Sequence, residues 1–248
     1  MLAQAIQQGQ LRIVDLTYNL DEKSPFWPDG GNASPFHATT DATYENDGSF
    51  ARTLQIPEHF GTHMDAPLHL VSNGASLSEI AVEKFIVPAV VVDVSVAAAS
   101  SPDYVVTVED LEQWTKTHGP APSGCAVLIR SGWASRWPSQ ARYVNQDTLG
   151  VMHFPGLSVE AAHYLVERVH PVAVGIDTFS IDAGPSKDFR VHQVVMAAGL
   201  YVLENLANLE RLPATGALII ALPMKLADGS GSPVRVLALV PGARSAAG

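Results

Sequence analysis

The sequence predicts an α/β fold organised around a mixed sheet. Three observations carry that expectation. Apolar runs of strand length recur along the chain, segments with helix-capping signals fall between them, and the two do not alternate regularly. Strict strand–helix alternation would point to a parallel doubly wound sheet or a TIM barrel, so its absence argues for a mixed sheet. At 248 residues the chain is long for one ordinary domain and short for two, and a single domain over 1–248 is expected.

Residues 12–18 alternate apolar and polar side chains and read as the first strand. Residues 21–47 follow, rich in Pro, Gly, Asn and Asp, and read as a long loop. Long loops in compact domains usually serve function, and this one carries Phe26, Trp27 and Pro28. Residues 51–56 read as a strand, and 85–96 as a buried, β-branched one. Thr107 followed by Asp110 resembles a capping box opening a helix to about residue 117. Residues 125–131 read as a strand. Ser158 is a suitable N-cap for a helix to about 169. A strand is expected at 171–176, and a helix at 191–198 closed by Gly199. Strands at 218–222 and 234–240 close the chain, joined by a Gly-rich turn at 228–232.

Composition excludes several function classes. With 47% apolar and 16% charged residues the chain can bury a large core. The net charge of −10 argues against nucleic acid and anionic membrane surfaces as partners, since both need a basic footprint. The longest apolar stretch, 87–99, is interrupted by Asp93 and Ser95 and is too short to span a bilayer. One cysteine, Cys125, allows no intrachain disulfide and reads as a small core residue. The first ten residues lack the pattern of a signal peptide, so a cytoplasmic location is expected. Serine hydrolysis finds no support, because there is no G-x-S-x-G elbow. The run Gly229 to Ser232 reads as a turn or a loop near the site.

The chemistry concentrates in EHFGTHMDAPLH, residues 58–69. His59, His63, Asp65 and His69 share one parity, so an extended backbone would turn them to one face. Gly61 lies between the first two histidines and leaves room for close approach. Two imidazoles and a carboxylate suit zinc, manganese or iron better than calcium or magnesium. A histidine just beyond such a cluster, His69, is placed for general acid/base work. Further ligands must come from elsewhere. His192 begins an apolar run, and Glu204 ends one. A carboxylate there must be paired, neutralised or metal-bound if buried, and taken by itself Glu204 reads more simply as exposed at a helix end.

HFGTHMDAPLH matches the HxGTHxDxPxH signature of the cyclase family of metal-dependent hydrolases, which includes bacterial kynurenine formamidase and isatin hydrolase. The resemblance extends through GIDTFSID at 175–182, His192, ENLANL at 204–209 and GSPVR at 231–235. It implies a swivelling β/β/α fold, a homodimer, and one or two divalent ions, Zn²⁺ or Mn²⁺. His59, His63 and Asp65 match the family's first ligand group; His192 and Glu204 match its second, with Asp65 a bridge when two ions bind. His69 matches the general acid/base, and Trp27 an aromatic lying against the substrate ring, with Phe26 beside it. His153, in HFPG at 153–156, resembles the isatin hydrolase branch and could contact substrate, or the segment could be a structural turn. Asp177 and Asp182 could orient a ligand histidine or cap turns. The implied reaction is hydrolysis of the C–N bond of a small aromatic amide or lactam. A lactone or other cyclic ester is the alternative bond, and a non-catalytic metal- or ligand-binding relative the alternative class.

Overall fold

The computed structural model describes residues 2–28 and 34–242. Its strands in chain order are β1 (Leu11–Asp15), β2 (His37–Ala42), β3 (Ala51–Gln55), β4 (His63–Asp65), β5 (Ile86–Asp93), β6 (Val105–Val106), β7 (Ala126–Arg130), β8 (Gly156–Leu157), β9 (Ala173–Ile176), β10 (Tyr201–Glu204), β11 (Ala217–Pro223) and β12 (Gly231–Pro241). Among the described residues one mixed sheet of eight strands runs β1-β12-β11-β5-β7-β9-β10-β4. β4 pairs antiparallel with β12 as well as β10, which closes the sheet into a barrel-like form. The expected mixed α/β architecture is met.

The parallel run β5-β7-β9-β10 is buried on both faces. This is why its strands read as unbroken apolar segments rather than alternating ones. Ala89, Val91, Ala126, Leu128, Ala173 and Leu203 turn into the barrel. Val90, Val92, Val127, Ile129, Val174 and Val202 turn the other way. There they meet Leu111 and Trp114 of helix Val108–His118, Ala161 and Ala162 of helix Val159–Tyr164, and Val195 of helix Arg190–Ala197. The caps form as expected. Thr107 and Asp110 make a reciprocal capping box, and Ser158 accepts from the Ala161 amide. Gly199, with φ +75°, follows the end of helix Arg190–Ala197.

Two expectations are corrected. The first strand stops at Asp15, and beyond it only the Leu16 amide and the Thr17 hydroxyl still bond to Val236 of β12. The loop expected at 21–47 contains β2 and a helical turn at Tyr44–Asp47, while its residues 29–33 lie outside the described residues. β2 pairs with β3 in a separate two-stranded ribbon whose side chains are largely exposed. Its polar strands, HATTDA and ARTLQ, face water and so lack the apolar signature of the main sheet. Among the described residues no helix is long and apolar enough to cross a membrane.

Candidate metal centre

β4 is three residues long, yet it decides the site. Met64 points into the barrel core, so its neighbours His63 and Asp65 must point to the opposite face. Antiparallel register places Glu204 of β10 directly across from His63 and Gly231 of β12 across from Asp65. Glu204 is 4% exposed and Asp65 1%. The exposed-helix-end reading of Glu204 is therefore set aside: it ends a buried strand. His192 arrives from the first turn of helix Arg190–Ala197. That helix start is capped by Asp182, whose carboxylate accepts from the backbone amides of Val191 and His192 at 2.9 and 3.1 Å.

The shared parity of the motif accounts for His63 and Asp65 only. Gly61 has φ +63°, so the backbone is bent between His59 and His63, and His59 reaches the site through that bend. A Cβ on Gly61 would run into the Leu20 side chain. A Cβ on Gly231 would lie 2.5 Å from the His59 ring, so the strand opposite Asp65 must carry glycine for His59 to fit. His69 follows Pro67 in a 3₁₀ turn, with its ring 4.0 Å centroid to centroid from that of His59.

Three imidazoles converge on two carboxylates. His63 Nε2 lies 3.1 Å from Asp65 Oδ1 and 3.3 Å from Glu204 Oε2. His192 Nε2 lies 3.4 Å from Asp65 Oδ2 and 3.1 Å from Glu204 Oε1. His59 Nδ1 lies 2.7 Å from Asp65 Oδ1. In each ring the other nitrogen is anchored. His63 Nδ1–H donates to the Gly61 carbonyl at 2.9 Å, and His192 Nδ1–H to Asp182 at 2.7 Å. Ser230 Oγ–H donates to Glu58 at 2.7 Å, which leaves its oxygen to accept from His59 Nε2–H at 3.0 Å. The nitrogens left over all face the acids. Electron-rich nitrogen and oxygen can stand this close, away from water, only with a positive charge shared among them, either protons or a cation.

The same crowding shifts the proton affinities of these groups. Burial would depress His63, but the Asp65 charge and the hydrogen bonds His63 donates to Asp65 and Glu204 push it up to about 10. His192 is likewise raised, against burial, by its bonds to Asp182, Asp65 and Glu204. Burial would raise Asp65, but the His63 charge and bonds from His192 and His59 hold it well below the usual carboxylate range. His69 differs. Burial lowers it, the Asp65 charge opposes this, and neighbouring His59 and His192 lower it further.

This donor set fits a borderline divalent cation: imidazole nitrogens with anchored opposite edges, joined by carboxylates. Donor atoms of His63, Asp65 and Glu204 lie within 4.8 Å of one another, and so do those of His59, Asp65 and His69, with Asp65 common to both groups. The cluster floors a cavity of about 450 Å³. Phe26, Trp27, Phe60, Phe179 and Phe189 form its walls. Trp27 is held by Phe154, Phe179 and Phe189 at centroid distances of 6.1–6.2 Å.

Not every expected residue reaches this cavity. His153 does not line it. Its ring pairs with Asp103 at 2.9 Å and Asp147 at 3.5 Å on the protein surface, and those carboxylates, the Asp103 bond foremost, raise its pKa. A substrate contact from His153 is not carried by this geometry; the next residue, Phe154, touches Trp27 instead. Asp177 accepts from Ser131 and the Gly132 amide and so holds a turn, whereas Asp182 both caps a helix and orients His192. The reading from sequence missed Glu58, Ser230 and the steric need for Gly231. Their roles depend on contacts across more than 170 positions, for which the chain carries no local signal.

Known proteins are similar to this chain in sequence and in fold. The Cyclase family model matches residues 14–183. An isatin hydrolase from Roseibium aggregatum is 33% identical over 97% of this chain and 96% of its own. A kynurenine formamidase from Salinibacter ruber is 26% identical over 92% of this chain and 97% of its own. The structure of isatin hydrolase A from Labrenzia aggregata bound to benzyl benzoate superimposes with a TM-score of 0.89 at 37% identity, covering 97% of this chain and 98% of that one.

Proposed function

This chain belongs to the Cyclase family, and from that premise we propose that it is a divalent-metal-dependent hydrolase that opens the C–N bond of a small, flat aromatic lactam of the isatin type. One observation carries the choice of substrate. The cavity above the acid–imidazole cluster is walled by five aromatic rings, and no Lys or Arg is among its described lining residues. A neutral aromatic lactam is matched by such walls. N-formylkynurenine carries an amino-acid carboxylate that would find no basic partner there, and burying that charge unpaired is costly.

His59, His63, Asp65, His192 and Glu204 would hold the ion, Zn²⁺ or Mn²⁺. When bound, such an ion polarises a carbonyl and acidifies water. The chain's own residues do the rest. Phe26 and Trp27 press the ring flat and exclude bulk water. His69 has its pKa lowered and is neutral near pH 7, so it can take a proton from the water that adds to the carbonyl carbon. The C–N bond then breaks. His69, now an imidazolium, returns that proton to the departing nitrogen, and one product keeps both amine and carboxylate.

We also take the working unit to be a homodimer acting in the cytoplasm. Tyr44, Phe50 and Leu54 lie exposed on and beside the β2–β3 ribbon, an apolar surface that a second copy could cover. A two-stranded ribbon is only marginally stable alone in water. Light scattering tests the dimer.

The test of function is hydrolysis of isatin and of N-formylkynurenine after chelation and after adding back zinc or manganese. Metal-restored turnover that prefers isatin is expected. Preference for N-formylkynurenine would overturn the substrate argument, and turnover without any metal would overturn the class.

A further inference from the structure

We infer that Asn205, held in turn by Tyr143, is a positioning residue that sets which nitrogen of His63 faces the acids. The inference rests on the metal-centre reading above. The His63 ring can be flipped, and its two edges are not equivalent. What fixes it is the Gly61 carbonyl, which can only accept a hydrogen bond and therefore takes His63 Nδ1–H and turns Nε2 toward Asp65 and Glu204. A carbonyl directs a ring only if it is itself fixed. Gly61 sits at φ +63°, and a glycine backbone does not by its own sterics fix the direction of its carbonyl.

Asn205 removes that freedom. Its Nδ2–H donates to the same Gly61 oxygen at 2.8 Å, occupying the second lone pair. Because Nδ2 must donate there, Oδ1 is left as the acceptor, and Tyr143 Oη–H donates to it at 2.8 Å. The backbone of Asn205 is clamped as well. Its amide donates to the Thr178 carbonyl at 2.9 Å, and its carbonyl accepts from Thr62 Oγ1 at 2.7 Å. Asn205 has φ +55°, a left-handed conformation that asparagine tolerates better than most residues and that bends the chain just after Glu204. Tyr143 is 0% exposed, with its ring packed edge-on against Trp137 and Phe179. The chain of contacts runs from the aromatic cluster through Tyr143, Asn205 and Gly61 to His63. Asn205 lines the cavity beside Glu204, but both of its amide atoms are engaged, Nδ2 by the Gly61 carbonyl and Oδ1 by Tyr143, so its route to the acids runs through His63.

The sharpest variant is Asn205→Gly, which keeps the left-handed backbone and deletes only the amide. Tyr143 Oη–H retains the Asp177 carbonyl, 3.0 Å away, so no buried donor is orphaned. Zinc affinity would be measured by chelator competition, with imidazole ¹⁵N–¹H correlation spectra of the zinc-loaded protein alongside. In the native protein one slowly exchanging His63 Nδ1–H signal is expected. In N205G that signal should exchange fast or split between two ring orientations, and zinc affinity should fall roughly 10- to 100-fold. Tyr143→Phe should give a weaker effect of the same kind. Ser131→Ala perturbs the same buried region through Asp177 without touching Gly61, and should change neither readout. Native affinity and an unchanged Nδ1–H signal in N205G would overturn the inference, as would equal losses in S131A. Should N205G not fold, Y143F with an unchanged signal would do so. If the native protein binds no divalent ion, the functional reading fails first. The protection of the His63 Nδ1–H in the metal-free native, N205G and Y143F proteins then decides this inference by itself: loss in both variants upholds it, and no change overturns it.

Discussion

His63 and Glu204 stand directly opposite each other across the antiparallel β4–β10 ladder, with Nε2 and Oε2 3.3 Å apart. Two residues separated by more than 140 positions thus act as cross-strand neighbours, and the pair survives only while its shared charge is balanced. Glu204→Gln keeps the shape and still accepts from the Ile181 amide, a bond that is 3.2 Å in the native protein. It removes one negative charge from the donor set. Metal affinity should fall at least about tenfold with the fold intact. Unchanged affinity in a titration would remove Glu204 from the ligand set.

Metal loading should release protons. In the metal-free protein His63 is pushed up to about 10, so at neutral pH it carries a proton that a cation must displace. Asp65 is already ionised, because its pKa is held low, and contributes none. His192, also raised, carries a second such proton, so apparent affinity should rise with pH by roughly tenfold per unit for each proton displaced and level off only once both rings have lost theirs. Calorimetry in buffers of different ionisation enthalpy reads this directly. Loading near pH 7 with no proton release would contradict the charge balance described here.

His69 should be separable from the metal. Replacing it with Ala should lower turnover by about 10²- to 10⁴-fold while metal content stays near native. The native pH–rate profile should lose activity on the acid side as His69, depressed below its ordinary 6.5, becomes protonated. That limb should vanish in H69A. Loss of bound metal in the variant would instead make His69 a ligand, as its proximity to His59 and Asp65 allows.

Asp182→Ala should act twice. The helix Arg190–Ala197 loses its cap, at a cost of about 1 kcal/mol measurable as a lower melting temperature. His192 also loses the partner of its Nδ1–H, and metal affinity should drop roughly 10- to 100-fold. A stability loss with native metal affinity would reduce Asp182 to a cap.

Trp27→Ala should open the cavity wall that Phe154, Phe179 and Phe189 support. KM for an aromatic lactam should rise about tenfold, with a smaller change in kcat, since an aromatic contact contributes about 1 kcal/mol beyond the area it covers. A native KM would place the substrate ring elsewhere.

How legible each part was depended on distance along the chain. The HFGTHMDAPLH segment displays four metal-competent side chains within eleven positions, so its chemistry could be read before any fold was known. The helix caps at Thr107 and Ser158 were equally plain, because a cap is a contact between residues three apart. The apolar runs marked strands but not their partners. The exposed ribbon of β2 and β3 was half hidden, since its alternation is among polar residues. His153 looked functional from its neighbours in sequence, yet its ring turned to Asp103 and Asp147.

The sequence by itself therefore displayed the donor types of the 59–69 motif, the general acid/base candidate and the mixed α/β class through local composition and spacing, while His192 and Glu204 were tied to that motif only by the family resemblance. Only the tertiary structure decided how the donors meet. Register across β4, β10 and β12 set Glu204 opposite His63 and Gly231 opposite Asp65, and helix Arg190–Ala197 carried His192 over them. The anchors behind the rings, Glu58 with Ser230, Asp182, and Asn205 with Tyr143, were decided there too. The physical reason is that strand pairing joins residues without regard to their separation in sequence. The ring orientation a metal site needs is imposed by those distant partners, not by the motif that displays the ligands.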